Sequence, residues 1–208
     1  MYMDITGIIL SGGKSKRMGL NKSLLKIGDI TIIERVTDIM ESVFAEVILI
    51  ANEPDIYDFL DLPIYSDIFE NKGPLGGIHS GLVNSKTNKN FIISCDIPLI
   101  NEGLIKSIIN FPTNKPITVP KADGFIQQLC GLYSKAVIQE VENILKESDN
   151  EEVRNAEQKN RKCKVHHLID TVPAEIITEV ETLNGYIPRI FHNMNTPEDF
   201  EYIKQRLS

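Results

Sequence analysis

The sequence predicts an α/β fold: a mostly parallel central sheet covered on both faces by helices. Three observations carry this expectation. Short, fully apolar runs alternate with amphipathic stretches through the first two-thirds of the chain, which suits strands buried on both faces. The runs have strand length and the amphipathic stretches have helix length. Each polar cluster follows directly on an apolar run, where open parallel sheets hold their ligands.

The elements follow in order. Residues 5–10 (ITGIIL) form a β-branched run that ends at glycines, a buried strand. Over residues 30–43, Ile33, Val36, Ile39, Met40 and Val43 fall at helical spacing. Residues 47–51 (VILIA) are a second strand, 55–60 a short helix and 63–65 a third strand. A helix over 76–85 opens in GPLGG, residues 91–94 (FIIS) are a fourth strand, and 102–110 is a helix. Strands follow at 116–119 and 129–133, then a helix at 135–147. The charged stretch 147–164 reads as a solvated helix with a frayed end, and 165–168 as a return to strand. Residues 170–188 carry no clear pattern. A closing helix spans 197–207, with Thr196 as its cap, Pro197 in the first turn, and Glu198 and Asp199 suited to the helix dipole.

A chain of 208 residues with 42% hydrophobic content fits one domain over 1–208 with a real core. The net charge of -7 disfavours nucleic-acid polymers as partners. Against that acidic background, Lys14, Lys16, Arg17, Lys22 and Lys26 form a local basic cluster. Cys95, Cys130 and Cys163 are far apart and lack metal-ligand spacing, so free thiols in a reducing cytoplasm are expected. His79, His166, His167 and His192 likewise lack ligand spacing and read as structural or surface residues. No signal-peptide pattern opens the chain and no apolar run is long enough to span a membrane.

The chemistry concentrates in the loop after the first strand. Ser11, Gly12 and Gly13 can turn successive backbone N–H groups toward an anion. Neither the P-loop nor the dinucleotide fingerprint is present. Arg17, Gly19 and Lys22 extend the glycines into G-G-x-x-x-R-x-G-x-x-K, in which Arg17 could fork onto phosphate oxygens and Lys22 could supply a point charge. Asp96, in SCDIPLI at the end of the fourth strand, is placed to hold Mg²⁺ beside phosphates. Asn52 ends the second strand with a paired donor and acceptor that suits either a base, a ribose or a turn.

The loop LSGGKSKRMGLNKSLL resembles the signature of nucleotidyltransferases that activate sugars and cofactors. More closely, it is similar to the MobA-like molybdenum cofactor guanylyltransferases, whose loop reads L-A-G-G-x-x-x-R-M-G-x-D-K. Here Ser11 replaces the alanine and Asn21 the aspartate. YSDIFENKGPLGGI (residues 65–78) and FHNMNTPEDF (residues 191–200) extend the resemblance along nearly the whole chain. It implies a three-layer Rossmann-like nucleotidyltransferase fold, with an N-terminal nucleotide-binding part and a C-terminal acceptor-binding part.

What the resemblance implies for function is transfer of GMP from GTP to molybdopterin, with Mg²⁺ as cofactor and release of pyrophosphate. It assigns catalysis to Arg17, Lys22 and Asp96. Leu10, Ser11, Gly12, Gly13, Lys22, Asn52, Asp67, Gly76 and Asp96 would bind the nucleotide, Asp67 by accepting from a guanine edge, and Asp96 would hold the metal. Gln128, Asn193 and Asn195 would meet the acceptor; Gln127-Gln128 stands where the family carries H-P or Q-P. Proteins that carry molybdopterin or chaperone molybdoenzymes are implied partners. Two alternatives stay open: a relative using cytidine nucleotides or sugar phosphates, and a non-catalytic nucleotide-binding relative.

Overall fold

The computed structural model describes residues 1–12, 21–148 and 165–207. Strand β1 (Tyr2–Leu10) is followed by the small hairpin β2 (Lys26–Ile27) and β3 (Ile30–Thr31), then α1 (Ile32–Val43), β4 (Phe44–Ile50) and β5 (Ile64–Tyr65). Helix α2 (Pro74–Asn84), β6 (Lys89–Ser94) and α3 (Glu102–Ile109) come next. Strands β7 (Ile117–Ala122), β8 (Phe125–Ile126) and β9 (Cys130–Ser134) precede α4 (Ile138–Glu147). Helix α5 (Val165–Thr171), β10 (Ala174–Ile177) and α6 (Pro197–Leu207) complete the described chain.

The sheet runs β5-β4-β1-β6-β9-β7-β10, with β8 paired to β7 at the side. Strands β5, β4, β1 and β6 are mutually parallel, and β10 is parallel to β7. Strand β9 runs antiparallel to both neighbours. The expected mostly parallel sheet is therefore present, with one reversed strand inside it.

Strict alternation along the central strands builds two cores. Ile9, Leu49 and Ile93 face α1 and α3, meeting Ile33, Val36, Met40, Leu104 and Ile108. Their neighbours Ile8, Ile48 and Ile92 face the other way, toward Leu75, Ile78 and Leu82 of α2 and Val141, Ile144 and Leu145 of α4. The period of two in each strand thus makes three layers. Helix α1 starts sharply because Thr31 and Glu34 form a reciprocal capping box. A third, smaller core of Ile27, Ile32, Leu99, Met194 and Ile203 docks α6 beside the first loop.

Two expectations are corrected. Residues 165–168 are helical, because Val165, Leu168 and Ile169 are all buried, a helical i, i+3, i+4 set rather than an alternating one. His166 and His167 are exposed on that helix, as surface residues. The strand of this region is β10, inside the stretch that carried no clear pattern. The helix expected over 147–164 falls almost entirely outside the described residues. No described helix is long and apolar enough to cross a membrane.

Candidate active site

Four parallel strands end on one rim. Leu10 pairs with Ile50 on one side and Ser94 on the other, so the residues that follow leave the sheet together. Strand β1 is the switch point, with successive crossovers going to opposite sides, the usual ligand position in an open α/β sheet. Ser11, Asn52, Asp67 and Asp96 all sit just beyond this rim. Leu10 is buried in the core, with its carbonyl accepting from Cys95 N at 3.0 Å, so it forms the floor.

The Ser11 N–H donates to Ile50 O at 2.9 Å. The expectation that this amide serves an anion is therefore corrected: the ladder has claimed it. Gly12 is exposed, and a Cβ built there meets nothing within 4 Å, so packing does not demand a glycine. Gly13 and Arg17 lie outside the described residues.

The Tyr57 hydroxyl organises both flanks of this loop. It lies 2.7 Å from Ser11 Oγ and 2.9 Å from Ser23 Oγ, and accepts from Asn21 Nδ2 at 2.9 Å. Asn21 Oδ1 in turn accepts from Ser23 Oγ at 2.7 Å and from Ser23 N at 3.1 Å. Asn21 thus caps the short turn Lys22–Leu24 and fixes Lys22. A neutral amide fits this position because it donates to Tyr57 with one atom and accepts from Ser23 with the other. Tyr57→Phe leaves this buried network without its hub. It is expected to cost ~1–3 kcal/mol of stability by chemical denaturation.

Lys22 Nζ donates to Asn195 O at 2.5 Å and to Met194 O at 3.3 Å, clipping the segment before α6 to the first loop. Met194 N donates to Asp96 O at 2.9 Å, so the same segment is tied to the fourth strand end. Burial raises the Asp96 carboxyl above its ordinary range, opposed by the hydrogen bond from Ser94, a local backbone hydrogen bond and the charge of Lys22. Burial likewise pushes the Cys95 thiol up to about 12, which keeps it protonated beside Asp96.

Asn52 and Asp67 grip each other. Asn52 Nδ2 donates to Asp67 Oδ2 at 2.9 Å, and Asp67 N donates to Asn52 Oδ1 at 2.9 Å. Burial raises the Asp67 carboxyl, and the Asn52 bond partly offsets this. Gly76, in the first turn of α2, is required by close approach: its Cβ would fall 2.9 Å from Phe69 O and 3.2 Å from Lys72 Cβ. The loop carrying Asp67 folds directly over it.

A cleft of about 430 Å³ opens beside Asp96. Gln128 and Asn193 line it with Asp96, as do Asp123, Phe125, Arg189 and His192. Asn195 is not in the lining; its carbonyl holds Lys22 and its N–H donates to Asp199 Oδ2 at 2.9 Å. His192 Nε2 lies 2.8 Å from Asp199 Oδ1, and the Arg189 guanidinium rests 4.2 Å from the Tyr202 ring centroid. Tyr57, Phe125 and Arg189 escaped the sequence reading. The first two had local signals, a helical Ile56–Tyr57–Leu60 spacing and an Asp-Gly hairpin turn; Arg189 had none. Among the described residues no cluster of three or more His, Cys, Asp or Glu side chains could hold a metal by itself. A single half-buried carboxylate still suits Mg²⁺, which takes one or two carboxylates together with substrate phosphates.

A family model described as the MobA-like NTP transferase domain matches residues 7–162. The chain belongs to this family. Among its relatives is a protein of Carboxydothermus hydrogenoformans named probable molybdenum cofactor guanylyltransferase. It is 34% identical over 200 residues, covering 95% of this chain and 94% of that one. A protein of the same name from Clostridium perfringens is 32% identical, covering 93% of this chain and 92% of its own. The crystal structure of molybdopterin-guanine dinucleotide biosynthesis protein A from Archaeoglobus fulgidus matches the fold with a TM-score of 0.76 at 17% identity. That match covers 97% of this chain and 98% of the other. The MobA-like chain is therefore a nucleotidyltransferase, and its three-layer sheet is the one such enzymes carry.

Proposed function

We propose that this enzyme transfers GMP from GTP to the terminal phosphate of molybdopterin, with Mg²⁺ and with release of pyrophosphate. The observation that carries the reading is the Lys22–Asp96–Met194 junction. It joins the phosphate loop, the acid-bearing strand end and the acceptor cleft in one place. The names of relatives that cover nearly the whole chain supply the nucleotide and the acceptor.

An acceptor phosphate is already an anion at neutral pH, so the reaction needs no protein base. Its oxygen bonds to the α-phosphorus of GTP while the bond to the β-phosphate bridge breaks. The work left to the protein is alignment and charge neutralisation. Gly12, Gly13, Arg17 and Lys22 hold the phosphates. Asp96 would hold Mg²⁺, which when bound neutralises phosphate oxygens. Asp67 accepts from the guanine N1–H and N2–H₂ edge, and Asn52 aims it. Gln128 and Asn193 meet the acceptor, while Asn195 works through its hold on Lys22. The chain then divides its labour within one domain, nucleotide at the first strand ends and acceptor at the β7–β9 side.

Titration calorimetry with GTP, CTP, ATP and UTP in the presence and absence of Mg²⁺ tests this reading. GTP preference and Mg²⁺-dependent pyrophosphate release with molybdopterin support it; CTP preference or no nucleotide binding defeats it. The pH dependence is a second check. The ionised Asp67 binds guanine, and its pKa is raised. GTP affinity is therefore expected to fall on acidification at a pH above the ordinary carboxylate range. Asn52→Ala removes a bond that lowers this pKa, so the acid limb should move to still higher pH. Calorimetric GTP titrations across pH on the wild type and Asn52→Ala compare the two limbs.

A further inference from the structure

Resting on the acceptor-cleft reading, we propose that Phe125 is the stacking platform for a planar heteroaromatic ring of the acceptor. The ring carries an N–H group that pairs with Gln128, and the acceptor's anionic end lies toward Arg189. Phe125 is 74% exposed, among the largest exposures of any large apolar side chain described. Its placement is built. Strand pairs Ala122–Phe125 and Lys121–Ile126 close a two-residue hairpin whose turn residues, Asp123 and Gly124, both have positive φ (52° and 81°). Such Asp-Gly turns fix a hairpin tightly, and this one carries a bare aromatic ring to the cleft that also holds Asp96. Phe125 buries no core surface, so the fold gains little from it.

The second observation is independent. Gln128 Oε1 is buried and has no hydrogen-bond partner, and Gln128 lines the same cleft. A buried acceptor left unpaired is costly and calls for a donor. A purely aliphatic phosphate would offer none at a ring position. A pterin-like heterocycle offers both a flat face for Phe125 and ring N–H donors for Gln128. Arg189, held over Tyr202 with a positive φ of 65°, supplies the cation for a phosphate at the other end.

The test is calorimetry of the full chain with two probes, 6-hydroxymethylpterin phosphate and glycerol phosphate. A GTP analogue blocked at the α–β bridge is present throughout. Phe125→Ser should weaken the pterin probe about tenfold, the scale of a lost stacking contact. Glycerol phosphate and the GTP analogue should bind it as they bind the wild type. Phe125→Tyr should restore the loss. Because the chain has no tryptophan, Phe125→Trp places a sole indole in the cleft, and its fluorescence should be quenched saturably by the pterin probe alone. Unchanged pterin affinity in Phe125→Ser, or no pterin binding by the wild type, overturns the assignment. So does a Phe125-dependent dimer in sedimentation with no change in pterin affinity, which would give this residue to an interface between copies. Failure of GTP to bind while Phe125-dependent pterin binding persists would defeat the guanylyl reading and leave this assignment standing.

Discussion

Asp96→Ala is expected to lower the rate of nucleotidyl transfer at least a hundredfold, while GTP binding weakens far less. Asp96 stands where the first loop, the end of β6 and the cleft beside Phe125 meet, and it is half-buried. A charge in that position acts mainly on charge that moves in the transition state, where removal of one contact costs ~3 kcal/mol, a factor of roughly a hundred. On the proposed function, ground-state affinity has other sources in Lys22 and Asp67. Steady-state transfer and calorimetric GTP binding on the same preparation separate the two; equal losses would remove Asp96 from the chemistry.

The same substitution series makes a stability prediction of opposite sign. Burial raises the Asp96 pKa in the folded state, so the ionised carboxylate weakens the fold. The penalty is complete above the raised folded-state pKa and vanishes as pH falls below the ordinary value of 3.8. Asp96→Asn should therefore melt at or above the wild-type temperature at pH 7, with the gap closing in acid. An inactive variant that is no less stable is the pattern of a residue kept for function at a cost to the fold.

Much of this arrangement was legible because the physics was local. Ile8, Ile48 and Ile92 stand next to Ile9, Leu49 and Ile93, and such unbroken apolar runs announce strands buried on both faces. Ser11, Asn52, Asp67 and Asp96 all stand just past such strands, where an open sheet holds ligands, but the roles of Asp67 and Asp96 came from the family resemblance. Where the determinants are distant the reading failed. Strand β8 has two residues and exists through its pairing with β7. Helix α5 has seven residues, and its Val165–Leu168–Ile169 spacing becomes decisive only through burial in the core that α4 shares. Tyr57 reads as one more apolar position of a short helix. Its hydroxyl matters only because the fold brings Ser11, Asn21 and Ser23 within 2.9 Å of it.

The segment before α6 shows how a stretch without pattern can be placed by a single contact, and it yields the largest stability effect expected here. Asn101 caps α3 by accepting from Leu104 N at 3.0 Å, and its Nδ2 donates to Gly185 O at 2.7 Å. Gly185 has φ of 87°, and a Cβ there would stand 2.2 Å from Leu104 N and 2.6 Å from Asn101 Oδ1. Both obstacles are fixed, one in the backbone and the other in a capping bond, so neither can yield cheaply. Gly185→Ala combines an unfavourable φ with a clash that must open the α3 cap, and it is expected to destabilise by ~4 kcal/mol or more in chemical denaturation. The consequence for function runs along the chain. Residues 186–195 hang between this anchor and the Lys22 and Asp96 contacts, and they carry Arg189 and Asn193 to the cleft. On the proposed function, the acceptor KM should therefore rise in the folded fraction of Gly185→Ala by more than GTP affinity falls, because Asn52 and Asp67 stand on the other side of β1. Parallel loss of both would mean that the anchor supports the whole rim rather than the acceptor side.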